Sequence, residues 1–127
     1  MILVDTSVWV DHLRAGDKAL AALLEAGAVL IHPFVIGELA LGSLRQREIL
    51  LNALSDLPQP SIAADAEVLH FIDHHALFGR GIGYVDAHLL AAVQLTVGTQ
   101  LWTNDKRLHG VANQLRLATA PSRRRGS

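Results

Sequence analysis

The sequence predicts an α/β domain: a short parallel β-sheet covered by helices on both faces. Three observations lead there. Short runs rich in Val, Ile and Leu alternate with segments whose apolar residues recur at helical spacing, which is the pattern of strand–helix–strand units. Half of the 127 residues are apolar, so one domain of this length can bury roughly two-thirds of its unfolded surface without staples. Acidic residues stand directly after two of the apolar runs, where open parallel sheets form their sites.

The elements follow in order. Ile2–Val4 is a strand, and Ser7–Arg14 a helix that Thr6 or Ser7 can cap. Asp17 caps a helix over Lys18–Glu25, which Gly27 ends. Val29–Ile31 is a second strand. Pro33 suits the first helical position of "PFVIGELALGSL". A helix over Gln46–Asp56 stops before Pro58 and Pro60, and Ser61–Ala63 reads as a weak strand. Asp65 caps "AEVLHFIDHHALF"; the loop "GRGIG" then leads into a strong helix over Tyr84–Val97. Gln100–Thr103 is a strand, Asp105–Gln114 a short helix, and Leu115–Ala118 a last strand. Residues 1–118 thus form the domain, and 119–127, ending "PSRRRGS", a basic flexible tail.

Composition excludes several function classes. There is no cysteine, hence no disulfide frame and no thiolate chemistry; a cytoplasmic setting fits. The N-terminus has no basic lead-in or cleavage site, so no signal peptide is expected. The longest stretch free of Asp, Glu, Lys and Arg, Ala87 to Asn104, carries too many polar residues for a membrane span. The net charge of −1 offers no global attraction to a polyanion; binding one needs a local patch or a metal.

Four of the twelve acidic residues carry the functional argument. Asp17 and Asp65 read as caps, and Asp11, Glu25, Glu48, Asp56, Glu67 and Asp73 as solvated surface. The other four stand among apolar neighbours. Asp5 ends the first strand. Glu38 is flanked at helical spacing by Phe34, Val35, Leu41 and Gly42. Asp86 is flanked by Ile82, Leu89, Leu90 and Val93. Asp105 follows "LWTN". An unpaired buried carboxylate costs several kcal/mol or protonates, so such a set needs a partner. No Lys or Arg stands at helical spacing from Glu38 or Asp86, and Arg80, Lys106 and Arg107 cannot satisfy four acids. Oxygen-only ligands select a hard divalent cation, Mg²⁺ or Mn²⁺. A cation so held keeps open positions for phosphoryl oxygens and an activated water. Metal-assisted phosphodiester hydrolysis follows, with RNA and DNA both open.

Four pieces, "VDTSVWVDHL", "GELALG", "GYVDAHLLAA" and "TNDKRL", resemble in content, order and spacing the PIN-domain ribonucleases, most closely the VapC-type toxins of bacterial toxin–antitoxin pairs. The resemblance covers Ile2 to Ala118. It implies a three-layer α/β/α sandwich around a short parallel sheet. It also implies a Mg²⁺ site lined by Asp5, Glu38, Asp86 and Asp105. Thr103 matches a hydroxyl that supports the site and the substrate phosphate, and Thr6 a residue that helps fix the first acid. The implied activity is endonucleolytic RNA cleavage, restrained by a cognate antitoxin.

Other readings remain open. His70 and His74 stand four apart on one helix, a spacing that suits zinc, but there is no H-E-x-x-H and a third ligand must come from elsewhere. "GRGIG" lacks the Lys-Ser/Thr of a phosphate-cradling loop. A non-catalytic interaction module on the same fold is the main alternative. Val35, Ile36, Leu39, Leu41 and Leu44 cannot all face one core from one helix, so part of that face is expected at a homodimer or antitoxin interface.

Overall fold

The computed structural model describes residues 1–121. Three parallel strands form the sheet: β1 (Ile2–Val4), β2 (Val29–Leu30) and β3 (Gln100–Trp102). Their order is β2-β1-β3. Ile2 pairs with Val29 and Gln100, Leu3 with Leu30 and Leu101, and Val4 with Trp102. Leu3 and Val4 point to opposite faces, as successive strand residues must, and both are fully buried. The central strand is therefore covered on both sides, in the expected three-layer arrangement.

Seven helices supply the cover among the described residues: α1 (Thr6–Ala15), α2 (Lys18–Glu25), α3 (Pro33–Ala40), α4 (Arg47–Ser55), α5 (Asp65–His74), α6 (Tyr84–Leu95) and α7 (Lys106–Gln114). α5 packs on α6, α6 on β3, and α3 on both α1 and α4. The helix α6 is buried from Ala87 through Val93, which explains its nearly continuous apolar sequence. None of the described helices is long and apolar enough to cross a membrane.

Two expected strands do not form. Ser61–Ala63 is an irregular connection; the Ser61 N–H goes to Thr96 Oγ1 at 2.9 Å instead of to a sheet neighbour. Leu115–Ala118 shrinks to a single parallel bridge between Ala118 and Leu101. The edge continues one residue past the expected domain boundary, because Thr119 N–H donates to Leu101 O at 2.9 Å. The arginines Arg123, Arg124 and Arg125 of the expected tail lie outside the described residues.

Helix starts differ in an instructive way. The cap of α1 is Asp5 itself, not Thr6 or Ser7. Ala64, not Asp65, is the N-cap of α5, with Glu67 Oε1 accepting from Ala64 N–H at 2.8 Å. Pro33 does occupy the first turn of α3, behind the N-cap His32. Because the strands are parallel, β1 and β3 deliver Asp5 and Thr103–Asp105 to the same edge of the sheet.

Candidate active site

Asp5 follows β1 and is buried, at 5% exposure. Its backbone N–H continues the ladder to Trp102 O at 2.9 Å. Its Oδ2 accepts from Ser7 Oγ and from Thr103 Oγ1, both at 2.7 Å, and more distantly from Ser7 N–H at 3.4 Å. Thr103 Oγ1 in turn accepts from Asp105 N–H at 3.0 Å, and Ser7 Oγ from Asn104 N–H at 2.9 Å. Both hydroxyl protons are committed to Asp5. The 3.2 Å approach of Ser7 Oγ to Thr103 Oγ1 is therefore a contact between two acceptors, held in place by their shared carboxylate. This network locks the β1–α1 junction to the β3–α7 loop and fixes one oxygen of Asp5.

The other acids are held on the same plan. Asp105 is the N-cap of α7, and its Oδ1 accepts from Leu108 N–H at 2.9 Å. Asp86 lies in the first turn of α6, and its Oδ2 accepts from Gly83 N–H at 2.9 Å. Glu38, on α3, accepts through Oε1 from Thr6 Oγ1 at 2.6 Å. Three of the four acids thus sit at helix N-termini, where orphan N–H groups and the helix dipole stabilise negative charge. In every case one oxygen is engaged, and the second accepts no hydrogen bond among the described residues.

Asp86 senses the other three side chains. The Asp86 carboxyl is pushed above its ordinary 3.8, chiefly because it is partly buried. The Gly83 N–H pulls it back down, while Asp5, Asp105 and Glu38 push it up further. As they stand, no three acidic or histidine side chains among the described residues lie close enough to hold one ion together. The donor set is nonetheless the all-oxygen chemistry of a hard divalent cation, with an uncommitted oxygen on each acid.

Some sequence expectations need correction. Only Asp5 is buried; Asp86 is half-buried, and Glu38 and Asp105 are exposed. Apolar neighbours in sequence do not bury Glu38, because Leu41 and Phe34 are themselves exposed. Thr6 supports Glu38 rather than Asp5; Ser7 holds Asp5. Sequence reasoning placed Ser7 only as a possible cap and missed Asn104. Asn104 donates from Nδ2 to Asp11 Oδ2 at 2.8 Å, tying the same loop to α1. His70 and His74 stack at 5.9 Å on α5 beside a cavity of about 400 Å³. The third ligand that a zinc site needs is not found among the described residues.

With this geometry in view, the comparisons with known proteins agree. The PIN domain family model matches residues 2–114: the chain belongs to the PIN-domain family. It is 48% identical over 120 residues to Ribonuclease VapC32 of Mycobacterium tuberculosis, in two strains, covering 94% of this chain and 97% of that protein. The likeness to VapC-type ribonucleases carried by the four motifs is borne out.

Proposed function

We propose that this chain is a metal-dependent endoribonuclease, the toxin of a toxin–antitoxin pair, and that Asp5, Glu38, Asp86 and Asp105 form its site. One observation carries the chemical part: three carboxylates, Asp5, Glu38 and Asp105, act on the charge of a fourth, Asp86, while each of the four keeps an uncommitted oxygen. The 48% identity to a ribonuclease along nearly the whole chain supports RNA as the substrate. Asp5, Glu38, Asp86 and Asp105 would hold Mg²⁺, directly or through its waters, with Mn²⁺ an acceptable substitute. When bound, such a cation neutralises phosphate charge and lowers the pKa of a coordinated water.

The chain's own residues supply the positioning. Thr103 and Ser7 fix the orientation of Asp5 through its Oδ2, leaving Oδ1 without a hydrogen bond. Thr6 restrains Glu38. The caps on α6 and α7 fix Asp86 and Asp105 relative to their helices. No histidine pair is among these groups, so in-line hydrolysis leaving 5′-phosphate and 3′-hydroxyl ends is the expected chemistry.

The antitoxin has a surface that suits it. A groove of about 820 Å³ lies beside Glu38, lined by Val10, Leu13, Leu39, Leu44 and Ile49, with Arg14 and Arg45 also on its walls. Val10, Leu13 and Ile49 are exposed there, and Leu41 nearby is 89% exposed. An amphipathic antitoxin segment would cover these side chains and set a basic residue against the acids. A homodimer would cover the remaining exposed apolar surface.

The test is cleavage of an end-labelled RNA by purified protein. Cleavage with Mg²⁺ and none in EDTA, lost in a folded Asp5→Asn variant, is expected. A cyclic phosphate product, or full activity in EDTA, refutes the mechanism. Light scattering reads the dimer.

A further inference from the structure

An acidic site must draw in a polyanion, on a chain whose net charge is −1. Beyond what a bound metal supplies, attraction has to come from local cationic side chains. The loop between α5 and α6 and the first turn of α7 hold three: Arg80, Lys106 and Arg107, all exposed.

Arg107 has a built seat. Gly81 has φ +80°, and a Cβ added there would lie 2.9 Å from both Cδ and Nη1 of Arg107. The arginine side chain therefore lies directly against the Gly81 backbone. Glycine suits the left-handed conformation there, and a side chain at this position would displace the arginine from where it lies. Gly81 is two residues before Gly83, whose N–H holds Asp86. Arg107 is two residues after Asp105, the cap of α7. The side chain thus spans from the helix start that carries Asp105 to the loop that starts the helix carrying Asp86.

In this position Arg107 makes no ion pair and no hydrogen bond among the described residues. It follows Asp105 by two residues and pairs with none of the four acids, so its donors are unspent. Arg80, next to Gly81, is likewise without an ion pair among the described residues. A guanidinium with open donors matches the two oxygens of a phosphate.

We propose that Arg107, seated on Gly81, grips a backbone phosphate of the RNA strand next to the scissile one and so sets the strand's path across the four acids. This rests on the ribonuclease reading, and it adds a substrate-binding residue outside the acid set. Arg80 extends the same basic patch.

The experiment measures binding of a fluorescein-labelled single-stranded RNA by anisotropy in the Asp5→Asn background, over a series of salt concentrations. Cleavage kinetics are measured in the parent. Arg107→Met keeps the apolar stem on Gly81 and removes the charge. It is expected to weaken binding about tenfold and to lower the slope of log K against log salt by about 0.7, the share of one phosphate on a single strand. KM should rise with kcat nearly unchanged, and the melting temperature should stay at the parent's. Arg107→Lys should restore the salt slope and part of the affinity. Gly81→Ala should weaken binding in the parent and add nothing in the Arg107→Met background. Parental affinity and slope in Arg107→Met overturn the proposal, as does weaker binding seen only with a lower melting temperature. If Arg107→Met matches a parent that does cleave RNA, the clamp falls and the ribonuclease reading stands. If the parent neither binds nor cleaves RNA, both fall.

Discussion

His32 is expected to make the protein acid-labile in a window well above the range of ordinary carboxylates. The side chain is fully buried. It caps α3, the helix that carries Glu38, by accepting Phe34 N–H on Nδ1 at 3.0 Å. Only the neutral imidazole can accept there. Burial, with a smaller contribution from His88, lowers its pKa from 6.5 to about 4; the two rings are 6.2 Å apart. The sign follows from proton counts. Between those values the unfolded chain binds a proton that the folded chain refuses, so this contribution is complete above 6.5 and lost as pH falls toward 4. One pKa unit corresponds to about 1.4 kcal/mol, so the whole shift is worth about 3 kcal/mol, of which about 2 kcal/mol is lost between pH 7.5 and pH 5. Urea unfolding of the ion-free protein at a series of pH values measures it. Asn also caps helices and does not titrate, so His32→Asn serves as the reference. Its stability is lower throughout, but it should fall by about 2 kcal/mol less than the parent's over the same interval. Parallel pH profiles for the two proteins would refute the reasoning, as would an imidazole resonance of His32 that titrates near pH 6.5.

Asp86 acts in the opposite direction. Asp86 has a raised pKa, first from burial and then from its acidic neighbours, so its contribution is greatest at low pH and declines as pH climbs through the raised folded value. Asp86→Asn should therefore stabilise the ion-free protein at neutral pH, with the gain shrinking under acid, and should abolish cleavage; a destabilised variant at pH 7.5 contradicts this. Mg²⁺ should raise the melting temperature of the parent by mass action, by about 2.7 kcal/mol at a hundred times its Kd. In Asp5→Asn the shift should be much smaller; equal shifts would place the ion elsewhere. Thr103→Val removes a donor to buried Asp5 and an acceptor for Asp105 N–H. It should cost about 2 kcal/mol in urea melts and reduce cleavage at least tenfold, with Thr103→Ser restoring most of both.

Where sequence and structure agree, a local rule was sufficient. Asp5 and Asp105 could be found because each lies within three residues of the end of a strand, and parallel strands deliver such residues to one end of the sheet. Pro33 marked the start of α3 because its missing N–H is harmless there. The misses all depend on information that is not local. Whether Thr6 or Ser7 serves Asp5 depends on the phase of α1 once Asp5 becomes its cap, and that phase turns Thr6 toward α3. The burial of Glu38 was overestimated because a helical neighbour such as Leu41 looks like core until its surroundings are known; it is 89% exposed. Gln46, with φ 50°, starts α4 from a left-handed conformation that glutamine does not announce. Ser61–Ala63 has strand-like composition, but its first N–H is taken by Thr96 rather than by a strand.

The bond between Thr103 and Asp5 joins residues 98 positions apart. During synthesis the N-terminal strand is made first, yet the residues that orient its carboxylate are among the last of the domain to emerge. Before Gln100–Trp102 can pair with β1, a growing chain has Asp5 but neither Thr103 nor Asp105. Long-range closures of this kind form late in folding. A half-made polypeptide still attached to its ribosome therefore lacks the network that orients Asp5, which closes only when translation of the domain is almost finished.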